Sequence, residues 1–537
     1  MSIDDLLLLA KGFVTGWNKG KLENKVRELA HTAIDGRIKV AELEEKVRLL
    51  EDENRRLKGE KPKPEIKPIS TSDLNPTPKK KHSKKSKKEN LEIDEKIEVD
   101  VDKEDLPKDA KFIGSRKVIV QEMIIKRRNI EFTIKRYWSA EIGKVIEGKV
   151  PDEFIGSEFG PQLRSFILYQ FYKNRVPHKK IIEMLSDWGI EISKGTVCNI
   201  LNDSTNEAFK EDLVSARNAA LKKCTQAHID ETGARVNGIK AYTFGVSNKY
   251  FTSYTTGFEK NRWAGAGALL GGTQGFLISK EAINFIAKKL KKPPITIFFS
   301  KLESDKVYTR DELEKLFNDP VFKIVTKRQL DIVRTACAIG ATRSKTALSP
   351  VKFLISDDAP NFVDIVKNHQ LCWVHEIRKY KLCEVYKKIE SETLEKLLKQ
   401  WRAFYKLMKR FKNTQTRELR MKVRAEFDRI CSIQTLVKPL DQQLLRTQAN
   451  RKELLLFLKY PQLPLHNNMA EVDIRERVIK RKISMQNRSL EGMQAWDLML
   501  SLVSTCRKLK LSFWNYLEDR VSMRESIPYL GKIINSL

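Results

Sequence analysis

Three acidic residues in this chain stand where carboxylates could work together on one substrate. Asp230 lies within the strand-like run AHIDETGARV (227–236). Asp357, followed by Asp358, closes the apolar run VKFLISDDAP (351–360). Glu471 lies near the start of a helical segment, HNNMAEVDIRERVIKRK (466–482). Carboxylates at strand ends and on a facing helix can converge on one crevice. Three such groups are hard oxygen donors, suited to two Mg²⁺ ions. Two ions about 4 Å apart can activate an attacking water or hydroxyl and stabilise a leaving oxygen. Each acid also has a plainer reading. Asp230 and Glu231 could cap a strand at the surface. Asp357 and Asp358 precede Ala-Pro and could be turn residues or a helix N-cap. Asn468 and Glu471 have capping-box spacing.

Weaker candidates accompany the acids. Cys372 and His375 have the C-x-x-H spacing of zinc ligands, and Cys383 is near. No fourth ligand is evident and the run HQLCWVHEI reads as a strand, so zinc is not expected here. Arg475 lies one turn beyond Glu471 on the same helix face. With Lys480, Arg481, Lys482 and Arg488 it forms a basic stripe suited to phosphate contacts, or else a solvated helix face. Trp496, Trp514 and Tyr516 fall in helical apolar patterns and read as core.

The elements that must position these groups sit in a strongly basic chain. Its 537 residues carry 101 Lys and Arg against 70 Asp and Glu, a formal net charge of +31. That balance favours a polyanionic partner, nucleic acid before anionic membrane. The seven cysteines are scattered, unlike a disulfide scaffold, which suits a reducing compartment. No run of 18 apolar residues and no signal peptide are read, so a cytoplasmic, nucleoid-associated protein is expected.

Residues 22–58 show a heptad pattern. Leu22, Leu29, Leu43, Leu50 and Leu57 take d positions, and Val26, Ala33, Val40, Val47 and Asn54 take a positions. This predicts a parallel dimeric coiled coil, with Asn54 fixing register and Val40, Leu43, Val47, Leu50, Asn54 and Leu57 at the seam. A single amphipathic helix docked on its own core is the alternative. Residues 59–106 read as a linker, Pro-rich and then basic (KKKHSKKSKK, 79–88) and finally acidic. Two strands are predicted in KVIVQEMIIK (117–126) and IEFTIKRYW (130–138). A helix–turn–helix follows. HKKIIEMLSDW (178–188) is the first helix, Gly189 the turn, Ser193 the N-cap, and TVCNILN (196–202) part of the second. Lys179, Lys180 and Lys194 could face phosphates there, although such helix pairs are also common in cores. Strand-like runs recur at AHIDETGARV, KAYTFGVSN, YFTSYTTG, VKFLISDDAP and HQLCWVHEI. Residues 384–458, 468–482 and 491–521 read as helical.

Several of these runs resemble the signature of bacterial transposases of the insertion-sequence-66 family. They are LPLHNNMAEVDIRERVIKRKISMQNRSLEGMQAWDLMLSLVSTCRKLKLSFWNYL (463–517), ISDDAPNF (355–362), LCWVHEIRKY (371–380) and HIDETGARV (228–236). The resemblance spans most of the chain. It implies a DDE transposase with an α/β ribonuclease-H-like catalytic core and helical insertions. It implies that Asp230, Asp357 and Glu471 are the metal-binding triad, with Asp358 the alternate to Asp357. It implies double-stranded DNA as partner, two Mg²⁺ ions (Mn²⁺ as substitute), and possible accessory proteins. His375 then reads as a DNA contact near the site or as a core histidine. Many family members carry paired cysteines before the helix–turn–helix. Residues 60–190 contain none, so this module is expected to fold without zinc.

The division expected is a coiled coil at 1–58, a linker at 59–106, a strand-rich module at 107–150 and a helix–turn–helix region at 151–224. A catalytic domain at 225–485 follows, with insertions near 260–350 and 384–458, and then a helical region at 486–537. Three rivals are carried: an inactive or domesticated DNA-binding protein, a nucleoid scaffold, and a nuclease that cuts without joining.

Overall fold

A computed structural model describes residues 39–40, 43, 46, 92–100, 111 and 115–537, apart from 156–157, 204–206, 273–274, 303–305, 345–348 and 386. The chain divides into two units, Met1–Ile125 and Lys126–Leu537. In the first, Lys39, Val40, Leu43 and Lys46 are helical. Val40 and Leu43, expected at a coiled-coil seam, are 54% and 55% exposed. The seam residues Val47, Leu50, Asn54 and Leu57 lie outside the described residues.

The second unit opens with a small antiparallel pair, β1 (Arg136–Ser139) and β2 (Lys144–Glu147). The strand expected at 117–126 does not form. Val118, Val120 and Ile124 are exposed, and a strand without a hydrogen-bonding neighbour gains nothing from its β-branched residues. Helix α1 (Pro161–Leu168) leads to the helix pair α2 (His178–Asp187) and α3 (Lys194–Asp203). Gly189 has φ +71°. Its N–H bonds the Ser186 carbonyl at 2.8 Å and Ile190 N–H bonds Leu185 at 2.9 Å, the two bonds of a Schellman ending. Ser193 Oγ accepts from Thr196 N at 3.0 Å and caps α3 as its sequence suggests. Buried Ile181, Leu185, Val197 and Leu201 hold the pair together. Helix α4 (Glu207–Lys223) follows.

The centre of this unit is a mixed five-stranded sheet in the order β5-β4-β3-β8-β9. Strands β3 (Gln226–Val236), β4 (Ile239–Ser247) and β5 (Thr252–Gly257) are antiparallel. Asn237 and Gly238, both at positive φ, make the tight β3–β4 turn. Strands β8 (Phe353–Ser356) and β9 (Asn368–Leu371) add in parallel beside β3.

The connection from β5 to β8 holds α5 (Arg262–Leu269), β6 (Phe276–Leu277), α6 (Lys280–Leu290), α7 (Pro293–Lys301), β7 (Val307–Tyr308), α8 (Arg310–Leu316) and α9 (Lys327–Arg343). Their apolar faces join Ile229, Phe244 and Leu354 of the sheet in one core. After β9 come α10 (Trp373–Lys381), α11 (Lys388–Thr414), α12 (Arg417–Cys431), α13 (Lys438–Ala449) and α14 (Arg451–Leu454). These build a second core around Trp373, Trp401, Phe404 and Phe427. Helices α15 (Asn468–Ser484), α16 (Leu490–Lys508), α17 (Phe513–Val521) and α18 (Leu530–Ser536) complete the chain. Among the described residues no helix is long and apolar enough to cross a membrane.

The run HQLCWVHEI is half strand and half helix. Leu371 is the last residue paired with β8, opposite Ser356. Trp373 N–H then turns to the Leu465 carbonyl at 2.9 Å, and α10 begins. Trp373, Ile377 and Tyr380 fall at i, i+4 and i+7, a helical period that marks this boundary in the sequence.

Candidate functional site

Strand register brings the first two acids together. His228 of β3 pairs with Ile355 of β8 in parallel. Two residues further along stand Asp230, within β3, and Asp357, just past the end of β8, so they lie side by side. Asp230 is half-buried and its Oδ1 accepts from Glu231 N at 2.8 Å. Burial pushes its carboxyl up to about 7, and the negative charges of Asp357, Glu471 and Glu231 push the same way. The structure thus brings Asp357 and Glu471 within electrostatic reach of Asp230.

Asp357 and Asp358 part ways. Asp357 Oδ1 accepts from Ala359 N at 3.1 Å, the short loop that turns its backbone off the sheet. Asp358 instead pairs with Lys379 of α10, which also holds Glu376 at 2.9 Å. Asp357 therefore stays within electrostatic reach of Asp230, and Asp358 is tied to α10 through Lys379.

Glu471 sits in the first turn of α15. The capping box suggested by its spacing does not form. The N-cap is Asn467, and its side chain makes no cap bond to α15. Asn467 Nδ2 instead donates to the Ile229 carbonyl at 2.8 Å, and its Oδ1 is 2.9 Å from His228 Nδ1. The amide accepts there, so His228 Nδ1 carries the proton. Burial holds the His228 imidazole down to about 4, which keeps it neutral. Asn467 thus pins the start of α15 to the two residues preceding Asp230, and Glu471 is left without a capping duty.

The remaining inward face of α15 is polar and paired. Asp473 accepts from Thr252 Oγ1 at 2.9 Å and pairs with Lys508 at 2.8 Å and Arg507 at 3.3 Å. Arg477 meets Asp497 at 3.0 Å and donates to Thr243 and Thr256. These contacts anchor the helix to β4, β5 and α16 along its length. At one point the approach is closer still, because Gly245 of β4 has no side chain beneath Ile474.

The basic candidates separate. Arg475, Lys482 and Arg488 are exposed, as are Lys179, Lys180 and Lys194. Lys180 bonds Glu183 at 2.6 Å. Arg481 is half-buried and donates to Thr232 at 3.2 Å and to the Gly233 carbonyl. Lys480 leaves the expected stripe. It is 6% exposed, its Nζ lies 4.8 Å from the Trp496 ring centroid and bonds Asn487 at 2.8 Å. Burial lowers its ammonium to about 7, with the Arg477 charge adding to the effect. The reason is periodicity: Asp473, Arg477 and Lys480 share the face that α15 turns to the sheet.

His375 lies on α10, not on a strand, and its Nδ1 is 3.6 Å from Glu471 Oε1. Cys372 Sγ accepts from Asn467 N at 3.2 Å. Cys383 is engaged elsewhere, near the Lys379 and Pro439 carbonyls. Glu231, which the sequence offered only as a surface cap, joins the site through Asn361 at 2.7 Å and through Lys260. Asn467 and His228 had no signal of their own, since an Asn-Asn pair before a helix reads as an ordinary cap.

The family described as Transposase IS66 family matches residues 156–279 and 361–495. Asp230 and Glu471 fall inside the matched segments and Asp357 lies between them. The chain is also similar to the uncharacterized protein y4jO of Sinorhizobium fredii (strain NBRC 101917 / NGR234), with 30% identity over 308 residues. That match covers 57% of this chain and 94% of the relative.

Proposed function

The chain belongs to the IS66 family of transposases, and from that premise we propose that it cleaves the ends of an insertion sequence and joins them to target DNA through Asp230, Asp357 and Glu471. The observation that carries this reading is the Asp230 carboxyl, held up at about 7 by burial and by the charges of its acidic neighbours. A carboxyl that resists ionising because it is buried among other acids marks a site short of positive charge. The donor set is all oxygen, which fits Mg²⁺ or Mn²⁺. Asp230 and Asp357 would hold two such ions, with Glu471 completing one of them. When bound, the ions would lower the barrier by activating the attacking oxygen and neutralising the leaving one.

The protein's own residues supply positioning. The β3–β8 register sets the spacing of Asp230 and Asp357. Asn467 holds the start of α15 against β3, which orients Glu471. Lys260 and Asn361 restrain Glu231 beside the three acids. The sheet order, three antiparallel strands and then two parallel ones, supports a ribonuclease-H-like reading of the core. The α2–α3 pair would contact DNA through Lys179, Lys180 and Lys194, and exposed Arg475, Lys482 and Arg488 would meet phosphates near the acids. Dimerisation through the N-terminal heptads would bring two element ends together.

The test is incubation of the full chain with DNA carrying the element ends, with and without Mg²⁺ or Mn²⁺. Nicking that needs the metal and disappears in Asp230→Asn is expected. Cleavage that survives Asp230→Asn would remove these acids from the reaction. Equal DNA binding by both proteins with no cleavage would favour the inactive DNA-binding alternative.

A further inference from the structure

Glu471 faces a second set of groups besides the two aspartates. Cys372 Sγ, a ring nitrogen of His375 and a carboxylate oxygen of Glu471 all lie within 4.8 Å of one another. Cys372 is the N-cap of α10 and His375 sits three residues on, so both project from the same helical end. Glu471 comes from the first turn of α15, nearly one hundred residues later in the chain. The backbone of Asn467 joins the two helix starts by donating to Cys372 Sγ.

Two of these three ligand atoms are shielded from solvent yet unbonded. His375 Nδ1 and Glu471 Oε1 have no hydrogen-bond partner among the described residues. Their 3.6 Å separation is too long for a hydrogen bond. It is close to the roughly 3.3 Å between two ligands on one tetrahedral ion with bonds of about 2.0 Å. Buried polar atoms are rarely left unpaired, and two of them facing each other suit a shared cation.

We infer that Cys372, His375 and Glu471 form a site for a thiophilic divalent cation of the zinc class, and that filling it withdraws Glu471 from Asp230 and Asp357. A thiolate and a carboxylate balance a doubly charged cation, and a neutral imidazole supplies the third bond. Sulfur excludes Mg²⁺ from this set and selects a softer ion. The sequence suggests Cys383 as the companion of the C-x-x-H pair, whereas the third ligand in space, Glu471, comes from a distant helix. One carboxylate then serves two incompatible sites, so zinc and Mg²⁺ oppose each other. The site stands on its own geometry, whereas the opposition rests on Glu471 serving the proposed reaction.

The experiment uses the full-length protein, kept reduced with a phosphine, and Co²⁺ as the probe. A thiolate-to-cobalt charge-transfer band is expected in the wild type and in Asp230→Asn and Cys383→Ser. It is expected to vanish in Cys372→Ser and in His375→Ala, with thermal melting to confirm that each variant is folded. No band in the folded wild type, or a band that survives both substitutions, overturns the site. In the nicking assay, zinc added against fixed Mg²⁺ should inhibit the wild type. Cys372→Ser, compared with its own zinc-free rate, should need roughly tenfold or more zinc for the same inhibition. Equal inhibition of the two proteins overturns the opposition. If the wild type never nicks DNA, the transposition reading fails, and the cation site is still decided by the cobalt band.

Discussion

Gly245 and Ile474 meet where helix α15 crosses the sheet: a Cβ placed on Gly245 would lie 3.1 Å from Ile474 Cδ1. Gly245 is paired across the ladder with Asp230. Ile474 lies three residues from Glu471 on the same helix. The absent side chain therefore sets how near the third acid comes to the first. Gly245→Ala should cost about 1–3 kcal/mol in stability, and Gly245→Val more, as in other overpacked contacts. Both should slow nicking more than they weaken DNA binding. Ile474→Val removes the offending methyl and should recover part of the loss in the double variant, a coupling that a double-mutant cycle measures. Independent, additive losses would mean the contact does not position Glu471.

The Asp230 carboxyl predicts a pH dependence with a definite sign. Its folded value, about 7, lies above its ordinary 3.8, so the folded protein holds this proton longer than the unfolded chain. Without metal, stability should fall as pH rises from about 4 to about 7 and level off above. That difference corresponds to about 4 kcal/mol. Asp230→Asn should therefore melt higher than the wild type at pH 8 and match it near pH 4. Added Mg²⁺ should raise the wild-type melting temperature at pH 8 and leave the Asn variant unmoved. Identical melting of the two metal-free proteins at pH 8 would contradict this picture.

Asp357 and Asp358 should differ sharply despite being neighbours. Asp357→Asn is expected to lower nicking by several orders of magnitude. Asp358→Asn loses a pairing with Lys379 and should keep nicking within about tenfold, with a stability change near 1 kcal/mol. A side-by-side nicking assay decides between them, and a reversed order would move the second ligand to Asp358.

The Arg477–Asp497 pair anchors the middle of α15. Arg477→Met leaves a buried carboxylate without its cation and should cost about 3–5 kcal/mol. Replacing both, Arg477→Met with Asp497→Leu, should cost less than Arg477→Met alone. Thermal melting measures both variants. A double variant as unstable as the single one would show that the Thr243 and Thr256 hydroxyls, not the charges, carry the anchoring.

Two acids of the candidate site are legible because they sit at boundaries that sequence marks well. Asp357 ends an apolar run before Ala-Pro, and Glu471 opens an amphipathic stretch. The helix pair at 178–203 was legible for the same reason, with Gly189 and Ser193 as punctuation. The rest depends on facing partners. Lys480 looks like part of a basic stripe until Trp496 and Asn487 are seen to enclose it. Asn467 looks like a cap until β3 is placed against it. His375 reads as part of a strand when HQLCWVHEI is taken alone, and only the longer period through Tyr380 reveals the helix start. The apolar residues at 117–126 suggested a strand on composition alone, and no neighbour came to pair with it.

The order of the acids along the chain bears on how the protein is made. A ribosome releases Asp230 first, then the helices between β5 and β8, and only later Asp357. Asp357 cannot take its place until β8 has aligned against β3. Glu471 emerges after the entire α10–α14 layer, and α15 needs α16 behind it for Asp497. A chain interrupted before residue 468 therefore contains α2, α3 and two of the acids, and lacks the third. On the proposed reading, such a fragment would keep the helix pair that would meet DNA and would lack one metal ligand, so cutting would wait for α15 and α16 to fold.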